Sequence, residues 1–203
     1  MSGCEFFTVI KDISVAGAAG VTAYVAWHGL ERWRAELAGK ASFETARALI
    51  RATYKLRDEI HYCRSPFISA SEFPEDYRGN LGRENPRQEG DAYVHVYSRR
   101  WEPVGEAIQQ FDAATLEAEA LWGREIKEKA EELRGLARRL QVSIDSFIRD
   151  KYSGGENFKD RDFRARMNAD VNESRMDSDT LSPAIDSAVE ALEVVLRPHL
   201  SRN

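Results

Sequence analysis

The chain has 203 residues, a formal net charge of −5, 42% hydrophobic residues and 31% charged ones. That length holds one domain with a sizeable core, or an anchor plus one domain. The balance excludes a disordered chain and a multi-span membrane protein, and the acidic sign gives no general reason to expect nucleic-acid binding. Cys4 and Cys63 form no ligand or disulfide pattern and are read as free thiols suited to a reducing compartment.

Residues 1–12, MSGCEFFTVIKD, lack the basic cluster that opens a cleaved signal peptide, and basic residues follow the next apolar run instead. That order belongs to an anchor that is retained. From Ile13 to Leu30 no formally charged residue occurs, and roughly 18 helical residues cover about 27 Å, close to a hydrocarbon core. Tyr24, Trp27 and Trp33 lie where an aromatic belt belongs. Residues 1–30 are therefore expected to be an N-terminal segment and membrane anchor, with residues 13–30 in the bilayer. The competing reading is a buried or interfacial helix, since the run is rich in alanine and glycine and holds Ser14, Thr22 and His28. Arg32, Arg34, Lys40, Arg47 and Arg51 follow the run while Lys11 alone precedes it, which predicts a cytoplasmic C-terminal part. Ala16 and Gly20, and Ala19 and Ala23, are small residues four apart, a spacing through which two spans can approach and form a homodimer.

After the run, Ala46, Leu49, Thr53, Leu56, Ile60 and Cys63 recur at alternating steps of three and four, a heptad seam that buries one stripe of a helix. Ser65-Pro66 ends it. Residues 65–90 hold three prolines and three glycines without a sustained period and read as a long connection. A second helix is expected from about Asp91, with the seam Tyr97, Trp101, Val104, Ile108, Phe111, Thr115, Ala118 and Trp122 and a kink or late start at Pro103. At Trp122-Gly123 the phase slips, and the seam resumes as Ile126, Ala130, Leu133, Ala137, Leu140, Ile144 and Phe147. Either one long helix passes through Gly123 or the chain reverses there. The matched helix lengths favour the reversal. Residues 31–152 thus read as a helical hairpin or bundle and residues 153–180 as a mobile loop. Residues 181–203 form a final helix, capped by Ser182 with Pro183 at its first position and carrying Ile185, Ala188, Leu192 and Val195 inward. The expected class is all-α: one N-terminal transmembrane helix followed by an antiparallel helical bundle or coiled-coil hairpin.

The stretch GLERWRAELAGKASFETARALIRATYKLRDEIHYCRSPFI resembles a group of uncharacterised bacterial proteins. These have one N-terminal span and a predominantly helical domain. The resemblance rests on Gly29-Leu30, Trp33-Arg34, Glu36-Leu37, Gly39-Lys40, Ala46, Leu49, Tyr54-Lys55, Arg57-Asp58 and Arg64-Ser65-Pro66-Phe67, about a quarter of the chain, with a weaker match at Ala120-Leu121-Trp122-Gly123. It implies a single-pass protein of a bacterial inner membrane. It transfers no catalytic residue, because the group has no established activity.

Candidate chemistry is sparse. Asp58 and His61 form an Asp-x-x-His pair and His28 and Glu31 a second, but the later helices carry no matching pair to complete a di-metal site. Cys63 and His61 are two apart on a helix and point to different faces, which argues against a nucleophile–base pair. No phosphate-binding, dinucleotide or hydrolase fingerprint occurs. No catalytic residue, metal or cofactor is therefore assigned. Arg47, Arg51 and Lys55, spaced four apart with Arg57 and Arg64 beyond, form a stripe that could meet an anionic partner, or an ordinary ion-paired face. The expected function is that of a membrane-anchored helical interaction or scaffold protein without catalysis; the competing class is an effector or enzyme with a site built around residues 65–90.

Overall fold

The computed structural model describes residues 3–77, 85–156, 158, 160–174 and 179–200, with side chains from Gly17 onward except at 18, 19 and 23. Among these residues the secondary structure is helical: α1 (Gly3–Cys63), a 3-10 turn (Ala70–Glu72), α2 (Pro86–Trp122), α3 (Arg124–Tyr152), α4 (Arg161–Val171) and α5 (Leu181–Leu200). The chain divides into two compact units, Met1–Glu44 and Thr45–Asn203.

The first unit corrects the expected anchor. Among the described residues no helix is long and apolar enough to cross a membrane. The reason lies in composition: eight of the residues from Ile13 to Leu30 are alanine or glycine, which contribute little apolar area per turn of helix. Length and the absence of charge satisfied the requirement for a span; hydropathy did not. Every described side chain from Val21 to Lys40 is exposed.

In the second unit the seams converge. Ala46, Leu49, Leu56, Ile60, Val104, Ile108, Phe111, Leu133, Leu140, Ile144, Ile185 and Leu192 belong to one buried apolar cluster, with Trp101 and Val195 packed half-buried against it. Along the paired helices the partners climb α3 as they descend α2: Lys127 meets Glu119, Arg134 meets Asp112, and the Tyr152 hydroxyl donates to Asp91. α2 and α3 therefore run antiparallel. The chain reverses at Gly123, whose φ of 82° and ψ of −161° lie in a region essentially restricted to glycine. Tyr54 donating to Glu193 and Arg64 donating to Ser182 set the second half of α1 antiparallel to α5. Trp122 stacks on His199 at 4.1 Å between ring centroids, joining the ends of α2 and α5.

Three boundaries differ from the sequence expectation. α2 starts at Pro86 rather than near Asp91, because the Asn85 side chain accepts from the N–H of Arg87 and proline suits the first helical position. Pro103 lies inside a continuous α2. Gly90 is buried there against the Tyr152 ring, which stands 2.4 Å from where a Cβ would lie and leaves no room for one. The third difference is α4, which occupies part of the stretch 153–180 expected to be loop. Its apolar content is low, and polar contacts hold it. Asp160 caps its first turn, Arg164 donates to the carbonyls of Gly155 and Phe158, and only Met167 and Val171 bury apolar side chains.

Candidate functional site

Two arginines are almost fully buried in the second unit, and both lie where helices meet. Arg64, one residue past α1, has no exposed side-chain surface. Its Nε donates to the carbonyl of Asp170 at 2.7 Å, Nη1 to the Ser182 hydroxyl at 2.6 Å, and Nη2 to the carbonyl of Ala169 at 2.9 Å and to Asp179 Oδ1 at 2.8 Å. Asp179 in turn accepts from the N–H groups of Ser174, Leu181 and Ser182 and from the Ser182 hydroxyl. Asp179, not Ser182, therefore covers the first donors of α5. Burial pushes the Asp179 carboxyl upward, but the Ser182 N–H, the Arg64 guanidinium and the other donors outweigh it and hold the group well below the usual carboxylate range. Beside this pair, Asp170 takes a bidentate contact from Arg139 at 2.6 and 2.9 Å and one from the Ser143 hydroxyl. One ionic cluster thus ties α1, α3, α4 and α5 together.

The second arginine, Arg100 of α2, fixes the segment after α1. It donates to Glu72 through Nε at 2.6 Å and Nη2 at 3.0 Å, and to the carbonyls of Ser65 and Phe67 at 2.7 Å each. Hydrogen bonding from Arg100 lowers the Glu72 carboxyl pKa. Glu72 also closes a capping box with Ser69. These carbonyls and carboxylates are engaged inward, so the described part of the 65–90 connection is a strapped turn. Among its described residues the exposed large apolar side chain is Phe67.

The sequence-derived candidates scatter. Arg47 and Arg51 are exposed and Lys55 half-buried, and none of the three makes an ion pair among the described residues. Arg57 pairs with Asp58 at 2.8 Å, and Arg64 is buried, so neither extends the stripe. His61 Nδ1 faces Glu173 at 3.1 Å, not Asp58; His28 lies edge-on to Tyr24. Among the described residues no group of three His, Cys, Asp or Glu side chains could hold a metal ion. Cys63 is buried, and burial pushes its thiol up to about 12 against the opposing pull of Arg100 and Arg64. Of the small-residue face, Gly20 is exposed, with nothing within 4 Å of where a Cβ would lie; the side chains of Ala16, Ala19 and Ala23 lie outside the described residues.

A groove of about 620 Å³ separates the outer faces of α2 and α3; Phe111, Thr115, Leu116 and Gly135 line it. The ion pairs Asp112–Arg134 and Glu119–Lys127 cross between its walls. Acidic and basic groups balance along it, so it favours neither sign of ligand. The Thr115 hydroxyl is buried beside it without a partner.

Sequence reasoning missed Arg64 and Arg100 as structural groups. The one available signal was position: each charged residue breaks into the apolar face beside Cys63 or Tyr97. No family model, curated protein or solved structure matches the chain.

Proposed function

We propose that this chain is a helical interaction protein that docks through the exposed apolar run of α1, residues 21–37. One observation carries the reading. Tyr24, Trp27 and Trp33, with Val21, Val25, Leu30 and Leu37, each present between 41% and 66% of their surface to solvent. Three aromatic rings and four aliphatic side chains are exposed within five helical turns, with Trp27, Leu30, Trp33 and Leu37 on one side of the helix. Clustered exposed apolar side chains of this kind mark binding sites. Aromatic residues of this kind are also the usual anchors of protein interfaces. The buried charges elsewhere support the same reading. The Arg64 and Arg100 clusters are closed by hydrogen bonds among the described residues and hold helices together.

The test is co-purification of a partner with the full chain. Trp27→Glu together with Trp33→Glu should abolish it, whereas Val142→Glu, on an equally exposed apolar position of α3, should leave it intact. Retention of the partner by the double variant would overturn the proposal.

A further inference from the structure

We infer that Arg47, Arg51 and Lys55 form a docking stripe for an acidic helix of a protein partner. The three cations stand four residues apart along one line of α1, covering about 12 Å of helix. Like charges at that spacing repel and weaken a helix, in a chain whose net charge is −5. Three nearby carboxylates are paired elsewhere, and Glu59, four residues past Lys55, makes no ion pair with it among the described residues. Asp58 pairs with Arg57 at 2.8 Å, and Glu193 of α5 accepts from the Tyr54 hydroxyl at 2.8 Å. Glu44, in the first unit, pairs with Lys40. The stripe is also open to approach. Ala48, between Arg47 and Arg51, is exposed and adds no bulk. Tyr62, seven residues beyond Lys55 on the same face, is 59% exposed and offers a ring at the end of the line.

A ladder of cations about 6 Å apart matches carboxylates at the same i, i+4, i+8 spacing on a second helix. The match gives register as well as charge complementarity, which a lipid surface or a flexible polyanion does not require. The inference names a partner class for the interaction reading, through residues other than 21–37, so each can fail alone.

The test uses the full chain and a labelled alanine-based peptide with glutamate at i, i+4 and i+8. A counterpart with glutamine at those positions serves as the control, and binding is read by fluorescence anisotropy at low salt. The glutamate peptide should bind at least about tenfold tighter than the glutamine peptide, and lose that advantage in the variant Arg47→Gln/Arg51→Gln/Lys55→Gln. Arg51→Gln alone, at an exposed position that disturbs no packing, should weaken binding about threefold. Equal binding of the two peptides, or unchanged binding by both variants, would overturn the inference. So would tighter binding to phosphatidylglycerol vesicles or to poly-uridylate RNA than to the glutamate peptide. Co-purification through Trp27 and Trp33 is unaffected by any of these results.

Discussion

Asp179→Asn removes one charge from the most buried ion pair and keeps nearly everything else. The Arg64 and Asp179 side chains are 0% and 2% exposed. Asparagine is nearly isosteric and caps helices about as well as aspartate, so the first donors of α5 retain an acceptor. What is lost is the counter-charge of a guanidinium that water cannot reach. Breaking a buried pair from one side costs about 3–5 kcal/mol, a large share of the 5–15 kcal/mol that stabilises a typical domain. With a urea dependence of about 2 kcal/mol per molar, the unfolding midpoint followed by circular dichroism at 222 nm should fall by about 1.5–2.5 M. Arg64→Met/Asp179→Asn should cost less than the two single changes added, because the stranded charge is gone. Acid gives an independent check. The folded carboxyl is held below its unfolded value, so its contribution is present above about pH 4 and is lost as pH falls through the lower, folded value. Wild type should therefore lose stability below pH 4 more steeply than Asp179→Asn. A midpoint shift under about 0.5 M would refute the claim that this cluster holds the helices together.

Three further outcomes follow from the packing. Leu140→Ala, at a position with no exposed surface, should cost about 2–5 kcal/mol from lost burial and the cavity left behind, whereas Arg51→Ala should leave the midpoint unchanged. Gly123→Ala should cost about 1–3 kcal/mol, because alanine is strained at the φ and ψ that reverse the chain there; an unchanged midpoint would argue that the reversal tolerates another conformation. In a Cys4→Ser background, Cys63 should react with a disulfide reagent at pH 8 only as fast as the protein unfolds, since its thiol is buried and shifted up to about 12. Its raised value also means stability is unaffected below about pH 8.5 and falls as pH rises from there towards 12.

Much of the helical body was legible because apolar periodicity reports burial directly. The six seam residues from Ala46 to Cys63 are all buried, and the phase slip at Trp122-Gly123 marked the reversal. α4 was hidden because charge, not apolar area, secures it: Asp170 is bound by Arg139 and Ser143 from another helix, and such partners are distant in sequence. Arg64 was misread for the same reason. Its spacing placed it beyond the exposed stripe, whereas the carboxylate that draws it inward lies 115 residues away. The anchor was overread because an uncharged stretch of adequate length was taken for an apolar one. Alanine and glycine satisfy the first condition and fall short of the second.

The central claim is that residues 21–37 are a binding surface, and site-specific photo-crosslinking tests it most directly. A photoreactive phenylalanine placed at Trp33 in the full chain, expressed in cells, should give one adduct of defined mass. The same group at Val142, similarly exposed on α3, should give none. Adducts of equal yield from both positions, or none from Trp33, would contradict the account.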